Sequence, residues 1–178
     1  MGGAMKGSIV TGPLYRFFVE DHRRLEGLMD RAAADPGKIA AASYEAFRRG
    51  LLRHIGMEEK ILLPMAQRAR GGEPLPIAPK LRLDHAAIAA LLVPPPSAPV
   101  IAAIRAVLRD HDEIEESPNG LYDLCEQLAG GEIDALMDRI RSAPDVGAMP
   151  LNPDPKVLEV VRRNLARAGY NFDDFLGR

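Results

Sequence analysis

The sequence predicts an all-α protein, an up-down-up-down four-helix bundle with a C-terminal helical extension. Ala, Leu, Arg and Glu are abundant, aromatic residues make up only 5% of the 178 positions and tryptophan is absent, a balance that favours helix over sheet. Apolar residues recur at helical spacing in segments that Pro and Gly punctuate. The hydrophobic share of 47% is enough to bury a core in one domain of this length.

Thr11-Gly12-Pro13 opens the first helix, with proline at an early helical position, and Leu14, Phe17, Phe18, Leu25, Leu28 and Met29 mark its apolar face to about Ala34. Asp35-Pro36 restarts the chain into a second helix that runs toward Arg70 and stops at Gly71-Gly72. Pro64 cannot donate an interior backbone hydrogen bond, so a bend is expected before it. Pro74, Pro76 and Pro79 mark a loop before the third helix, which carries Leu81 to Val93 and ends at Pro94-Pro95-Pro96. The fourth begins near Pro99 and carries Ile101, Ile104, Val107, Leu108, His111 and Ile114 until Ser117-Pro118-Asn119-Gly120 interrupts it; Leu121 to Ala129 resumes as helix. Residues 12–130 are thus the expected four-helix bundle. Residues 131–178 are the expected C-terminal extension packed on the same domain, with a short helix near Glu132 to Arg141 and a last helix opened by Asp154-Pro155.

A formal net charge of −2 and the lack of any long run of like charge predict no attraction to nucleic acid or acidic lipid. The lone Cys125 fits a reducing compartment and reads as a small buried apolar residue. Met1 to Thr11 lacks the features of a signal peptide, and no segment approaches the ~20 apolar residues of a membrane span. A cytoplasmic protein with no nucleic-acid or membrane partner is expected. The extension is expected either to cover the bundle's own apolar side or to offer a surface to a protein partner or a second copy.

All four histidines fall in two copies of one pattern: Asp21-His22 followed by His54-x-x-x-Glu58-Glu59, then Asp84-His85 followed by His111-x-x-x-Glu115-Glu116. A histidine and a carboxylate four apart share one helical face, about 6 Å apart along the axis and roughly 40° around it. If each half is a helical hairpin, each presents two imidazoles to one point. Pairing the halves about an approximate two-fold axis brings two ion positions together with Glu58 and Glu115 pointing between them. Each ion would then have two imidazole nitrogens and an oxygen from each of two bridging carboxylates, with a solvent-derived oxygen as a further bridge. Such mixed ligation suits iron or manganese pairs and favours iron, although zinc accepts the same donors. Glu59 and Glu116 lie about 100° round from the ligand positions and read as outer partners or solvent-facing groups. Asp21 and Asp84 read as outer partners of imidazoles or as solvated helix surface. Tyr15, Tyr44, Tyr122 and Tyr170 are candidates to line the site, with core packing the preferred role.

These residues match a family pattern. His22, His54-x-x-x-Glu58, His85 and His111-x-x-x-Glu115 resemble the haemerythrin-like, or HHE cation-binding, domain over roughly Leu14 to Leu128, and the phrase from His54 to Pro64 resembles it most closely. The resemblance implies a four-helix bundle with a non-haem di-iron centre, His22, His54, His85 and His111 as terminal ligands and Glu58 and Glu115 as bridges. It also implies a protein that binds dioxygen, responds to oxygen, nitric oxide or iron, or handles peroxide. The oxygen carriers have a fifth histidine four residues after the third-helix histidine, where this chain has Ala89, and an Asp five residues after the last histidine, where it has Glu116 behind Glu115. Reversible oxygen carriage therefore loses ground to iron-linked sensing, storage or redox chemistry.

Ala89 cannot coordinate, whereas the equivalent residue of the first half, Glu26, lies four after His22 on the same helical face. Glu26 is a candidate fifth donor to the ion near His22 and His54, its alternative being a solvated or salt-bridged carboxylate, and the open position is then expected near His85 and His111. Three function classes follow: a sensing or binding module with a diatomic or peroxide ligand, a di-iron oxidoreductase reducing peroxide, dioxygen or nitric oxide, and a bundle held by a structural zinc. No substrate-pocket signature, nucleophile-base pair or phosphate loop is present, so the enzyme class rests on iron chemistry alone.

Overall fold

The computed structural model describes residues 11–35 and 37–177; of the N-terminal reading above, residues 1–10 lie outside it. The protein is all-α, a four-helix bundle with a helical extension, and the described residues contain no strand. Helix α1 is Pro13–Ala32, α2 Ala41–Met57, α3 Leu63–Ala69, α4 Ala78–Leu91, α5 Ala98–Glu116, α6 Leu121–Ala129, α7 Ile133–Arg141 and α8 Pro155–Ala168. The four bundle members are α1, the continuous α2–α3 rod, α4, and α5. Helix α6 packs back against α1, α3 and α5, and the extension closes the outside: α7 lies on α1 and α6, α8 along α4. No helix is long and apolar enough to cross a membrane among the described residues.

Two boundaries differ from the sequence reading for local reasons. The second helix starts at Ala41 rather than at Pro36, because Asp35 first holds a turn, its side chain accepting from Gly37 N at 2.8 Å and its carbonyl from Lys38 N at 3.1 Å. The disturbance expected before Pro64 is a π turn over Glu58–Leu62, closed by Leu63 N donating to Glu58 O, after which the helix continues through Pro64. The longer i→i+5 turn takes up the residue whose missing N–H would break a regular helix. It also begins at the residue on which the metal reading rests, Glu58.

The apolar residues form two clusters. One contains Leu25, Met29, Tyr44, Phe47, Leu51, Ile88, Leu91, Ile104 and Val107, to which α8 and the residues beyond it add Val161, Leu165, Phe172 and Phe175. The other contains Leu14, Phe18, Met57, Leu62, Leu81, Leu121, Tyr122, Cys125 and Met137. The four histidines, Glu58 and Glu115 belong to neither cluster, yet all are buried. A polar layer thus crosses a bundle that is otherwise packed with hydrocarbon.

The turn from α5 into α6 sets part of that layer. Gly120 N donates to Ser117 O at 2.7 Å, and a Cβ on Gly120 would lie 2.5, 2.6 and 2.8 Å from the carbonyl oxygens of Ile114, Glu115 and Ser117. These are backbone atoms that cannot swing aside, so only glycine lets the chain reverse this close to Glu115. Gly120→Ala is expected to cost about 1–3 kcal/mol in urea unfolding, the usual range for forced overpacking. Gly147→Ala, whose added Cβ would meet nothing within 4 Å, serves as the control and should be close to neutral.

Candidate metal centre

Helix α1 brings in His22, α2 His54, the π turn Glu58, α4 His85, and α5 both His111 and Glu115. Their exposures are 6% for His22, 2% for His54, 4% for His85 and 3% for His111, and 0% for both glutamates. Three groups of donor atoms form, each with its atoms within 4.8 Å of one another: His22/Asp112/Glu116 at the outer edge and, inside, the two fully buried sets His22/His54/Glu58/Glu115 and Glu58/His85/His111/Glu115. The glutamates are common to both buried sets because each turns its two oxygens to opposite sides. Glu58 Oε1 lies 3.0 Å from His54 Nε2 while Oε2 lies 3.1 Å from His85 Nε2. Glu115 Oε1 lies 3.2 Å from His111 Nε2 while Oε2 lies 3.5 Å from His22 Nε2.

The outward nitrogen of every imidazole meets a carboxylate on a neighbouring helix. His54 Nδ1 is 2.9 Å from Asp21, His85 Nδ1 2.6 Å from Glu59, His22 Nδ1 2.7 Å from Glu116 and His111 Nδ1 3.5 Å from Asp84. Each of these carboxylates is the sequence neighbour of a site residue and supports a different one: the residue about 100° round the helix points to the next helix in the ring. Each in turn has a surface cation: Arg24 beside Asp21 at 2.7 Å, Arg82 beside Glu59 at 3.4 Å, Lys80 beside Asp84 at 2.6 Å and Arg23 beside Glu116 at 3.0 Å. Lys80 also donates to Ala168 O at the end of α8, 2.9 Å away, which ties the extension to this shell. Because ionised carboxylates only accept, Nδ1 of His22, His54 and His85 carries the proton, and Nε2 of each ring, when neutral, presents its lone pair inward.

This donor set fits a cation. His22 Nε2 and His54 Nε2 face each other at 3.0 Å, too close for two lone pairs with nothing between them, and about the separation of two nitrogens each ~2.1 Å from one ion at a right angle. In the other half, Glu58 Oε2, Glu115 Oε1 and His85 Nε2 are buried with no hydrogen-bond partner. Taken by themselves, the side chains hold protons instead. Burial opposes a charged ring at His22, but hydrogen bonds to Glu115 and Glu116 outweigh it and raise the ring to about 9. Burial likewise opposes charge at His54, overcome by Glu58 and Asp21, and at His111, overcome by Glu115 and Asp84; both rise to about 10. Burial would raise Glu58, yet the His54 charge and hydrogen bonds from His54 and His85 hold it well below the usual carboxylate range.

Tyr122 is the residue that sequence reasoning undervalued. Its ring is fully buried, stacked on Phe18 at 4.8 Å between centroids, and its hydroxyl lies 2.6 Å from Glu58 Oε1, 2.7 Å from Glu115 Oε2, 3.0 Å from His22 Nε2 and 3.2 Å from His54 Nε2. The signal in the sequence was the break at Ser117-Pro118-Asn119-Gly120, which folds α6 back across the end of α5.

Glu26 and Ala89 are not brought to the site. Both are exposed, and Glu26 stands in the wall of a cavity between α1 and α5. Four residues before His22 and His85, by contrast, stand buried side chains. Those positions are Phe18 and Leu81, both 0% exposed. The expected fifth carboxylate donor is therefore absent from position 26, and the fifth-histidine comparison at position 89 does not bear on the site's interior.

The cavity, about 580 Å³, is floored by Leu25, Met29, Phe47 and Leu51 and stops at His22, Asp112 and Glu116. Asp112 Oδ1, buried and without a hydrogen-bond partner, lies 3.8 Å from His22 Nε2, and burial raises its carboxyl to about 6. Asp112 is not among the residues that the sequence pattern singles out.

A family model described as Hemerythrin, the HHE cation binding domain, matches residues 14–142. No curated protein and no solved structure matches the chain.

Two outcomes are expected. Groups whose folded pKa is raised stabilise the fold below their unfolded value, and that contribution disappears as pH rises through the folded value. For chelator-treated protein, His22, His54 and His111 place the loss between pH 6.5 and about 10, so the urea midpoint should fall across that window. A midpoint that climbs there would contradict the assignment of protons. Metal affinity should run the other way, rising with pH as protons cease to compete for Nε2. Separately, Asp21→Asn and Glu59→Gln should each lower metal affinity by about 10–100-fold in competition with a chelator, the usual effect of removing an outer partner of a ligating histidine.

Proposed function

The chain belongs to the hemerythrin HHE cation-binding domain family, and we propose that it holds two iron ions and uses them to bind or respond to dioxygen, nitric oxide, peroxide or iron. The observation that carries this reading is the split of both glutamates, each turning one oxygen to His22 and His54 and the other to His85 and His111. A pair of ions bridged by two carboxylates uses that arrangement, whereas a lone ion would leave half of it unsatisfied. In this reading His22, His54, His85 and His111 are terminal ligands and Glu58 and Glu115 are bridges. Imidazole with carboxylate ligation favours iron over magnesium or calcium; manganese and zinc accept the same donors.

The bound pair would supply reversible one-electron chemistry and coordination of small ligands. The protein's part is to fix and shield the donors. Three of the outer carboxylates hydrogen-bond their rings and set tautomer and angle at His22, His54 and His85, so little reorganisation would accompany ion entry there. The hydrocarbon clusters on either side of the layer exclude bulk water. The cavity between α1 and α5 ends at the outer edge of His22; none of His54, Glu58, His85, His111 or Glu115 lines it. That enclosure suits ligands of a few atoms, such as diatomics and peroxide, better than an organic substrate. A cytoplasmic location, an interaction of the extension with a partner or second copy, and independence of nucleic acid and membrane belong to the same proposal.

Metal analysis with an optical spectrum tests it: two iron ions per chain with oxo-bridged diferric absorption are expected, while a protein that takes up only zinc would support the structural-zinc class. In the iron protein, His54→Ala and His111→Ala should each remove about one ion and destabilise the fold, because buried carboxylates lose their counter-charge. Glu58→Gln and Glu115→Gln should weaken both ions. Loss of a single ion in either glutamine variant would make that glutamate a terminal ligand instead of a bridge.

A further inference from the structure

Tyr122 presents a single hydroxyl proton to two carboxylate oxygens, Glu58 Oε1 at 2.6 Å and Glu115 Oε2 at 2.7 Å. One proton serves one of them, and the second short oxygen–oxygen contact then needs a positive charge to hold it. The ring has no room to withdraw: it is 0% exposed, stacked on Phe18 and edge-on to Tyr15, and its backbone begins directly after the tight Gly120 turn. The oxygen sits with the donors of one half only, 3.0 Å from His22 Nε2 and 3.2 Å from His54 Nε2. The other half has nothing comparable, for there Glu58 Oε2, Glu115 Oε1 and His85 Nε2 lack hydrogen-bond partners. The sequence duplication does not extend to it either: Tyr122 stands seven residues after Glu115, and seven after Glu58 stands Met65.

We propose that the Tyr122 oxygen is the fifth protein donor to the ion held by His22 and His54, which makes the two ions unequal and favours iron(III) at that position. The separations among His22 Nε2, His54 Nε2, Glu58 Oε1 and the Tyr122 oxygen, 2.6 to 3.2 Å, are those of neighbouring donors about 2.1 Å from one ion. On binding, the phenol proton passes to solvent and the oxygen takes the ion in its place. A phenolate is a hard anionic donor of the kind that holds iron(III) elsewhere in protein chemistry. The donor sought near His22 in the sequence is thus found on α6, and the half with the smaller protein donor set is His85/His111.

This inference rests on the metal pair proposed above, and the experiment separates the two. Iron content and visible spectrum are measured on the same iron(III)-loaded samples of wild type, Tyr122→Phe and, as control, Tyr15→Phe. Wild type and Tyr15→Phe are expected to show a phenolate-to-iron(III) charge-transfer band. Tyr122→Phe should lose it and bind one of its two ions about 10–100-fold more weakly, taking the loss of an outer partner as a lower guide. Two irons in wild type without that band, or a band that survives in Tyr122→Phe, would overturn the tyrosine ligand and leave the metal pair standing. Wild type that binds no iron would overturn both. If Tyr122→Phe does not fold, wild type grown on ring-deuterated tyrosine decides: resonance Raman phenolate modes should shift with the label, and a spectrum without such modes refutes the ligand.

Discussion

The bundle depends on a closed ring of carboxylate-to-imidazole contacts, three of them hydrogen bonds and the fourth a buried approach of Asp84 to His111. Asp21 on α1 holds His54 on α2, Glu59 on the π turn holds His85 on α4, Asp84 on α4 faces His111 on α5, and Glu116 at the end of α5 holds His22 back on α1. Each contact joins two helices, so the four together fix the relative rotation of all members of the bundle. Hydrophobic burial alone would not do this, because apolar side chains tolerate sliding and repacking while a hydrogen bond at 2.6–2.9 Å does not. Arg and Lys groups lie against the ring's carboxylates from outside, and the carboxylates face the imidazoles within.

Inside the ring the balance is less comfortable. Glu58 and Glu115 are fully buried among hydrocarbon on both sides, where an unpaired carboxylate would cost several kcal/mol, on the order of the whole stability of a domain. Only positive charge in the same layer sustains them, carried by protons on the imidazoles or by bound cations. The high proton affinity of His54 and His111 and the low one of Glu58 are two faces of this requirement. Proton and metal therefore compete for one set of nitrogens, and the polar layer is a place where the fold gives up packing energy for chemistry.

Much of this was legible in the sequence. Helical spacing and the Pro and Gly breaks locate the helices, and the duplicated histidine pattern identifies the residues that converge, because a four-residue spacing has one meaning on a helix. What depends on how one helix faces another was not legible. The carboxylates at positions 21, 59, 84 and 116 read in the sequence as outer partners or solvated surface, but an offset of about 100° from their neighbours does not say which helix, and so which histidine, each one meets. Glu26 failed as a donor because its side chain is exposed on the outside of α1, which a four-residue spacing from His22 does not reveal. Tyr122 required the path of the chain after Gly120, a matter of three backbone carbonyls that no periodicity encodes.

The symmetry of the sequence and the asymmetry of the structure have a single origin. Two hairpins with matching ligands generate two equivalent half-sites only as long as nothing else enters the layer. The first hairpin leaves through the π turn and continues as α3, carrying its chain straight away from Glu58. The second reverses at Gly120 and sends α6 across the end of the layer, laying Tyr122 over one half. Because both glutamates bridge the halves, the hydroxyl held by one oxygen of each is felt at the other oxygen too, through the charge it draws from the shared carboxylates. A difference of chain path on one side thus alters the donor strength of both, and the two positions become unequal although the motif that built them is repeated.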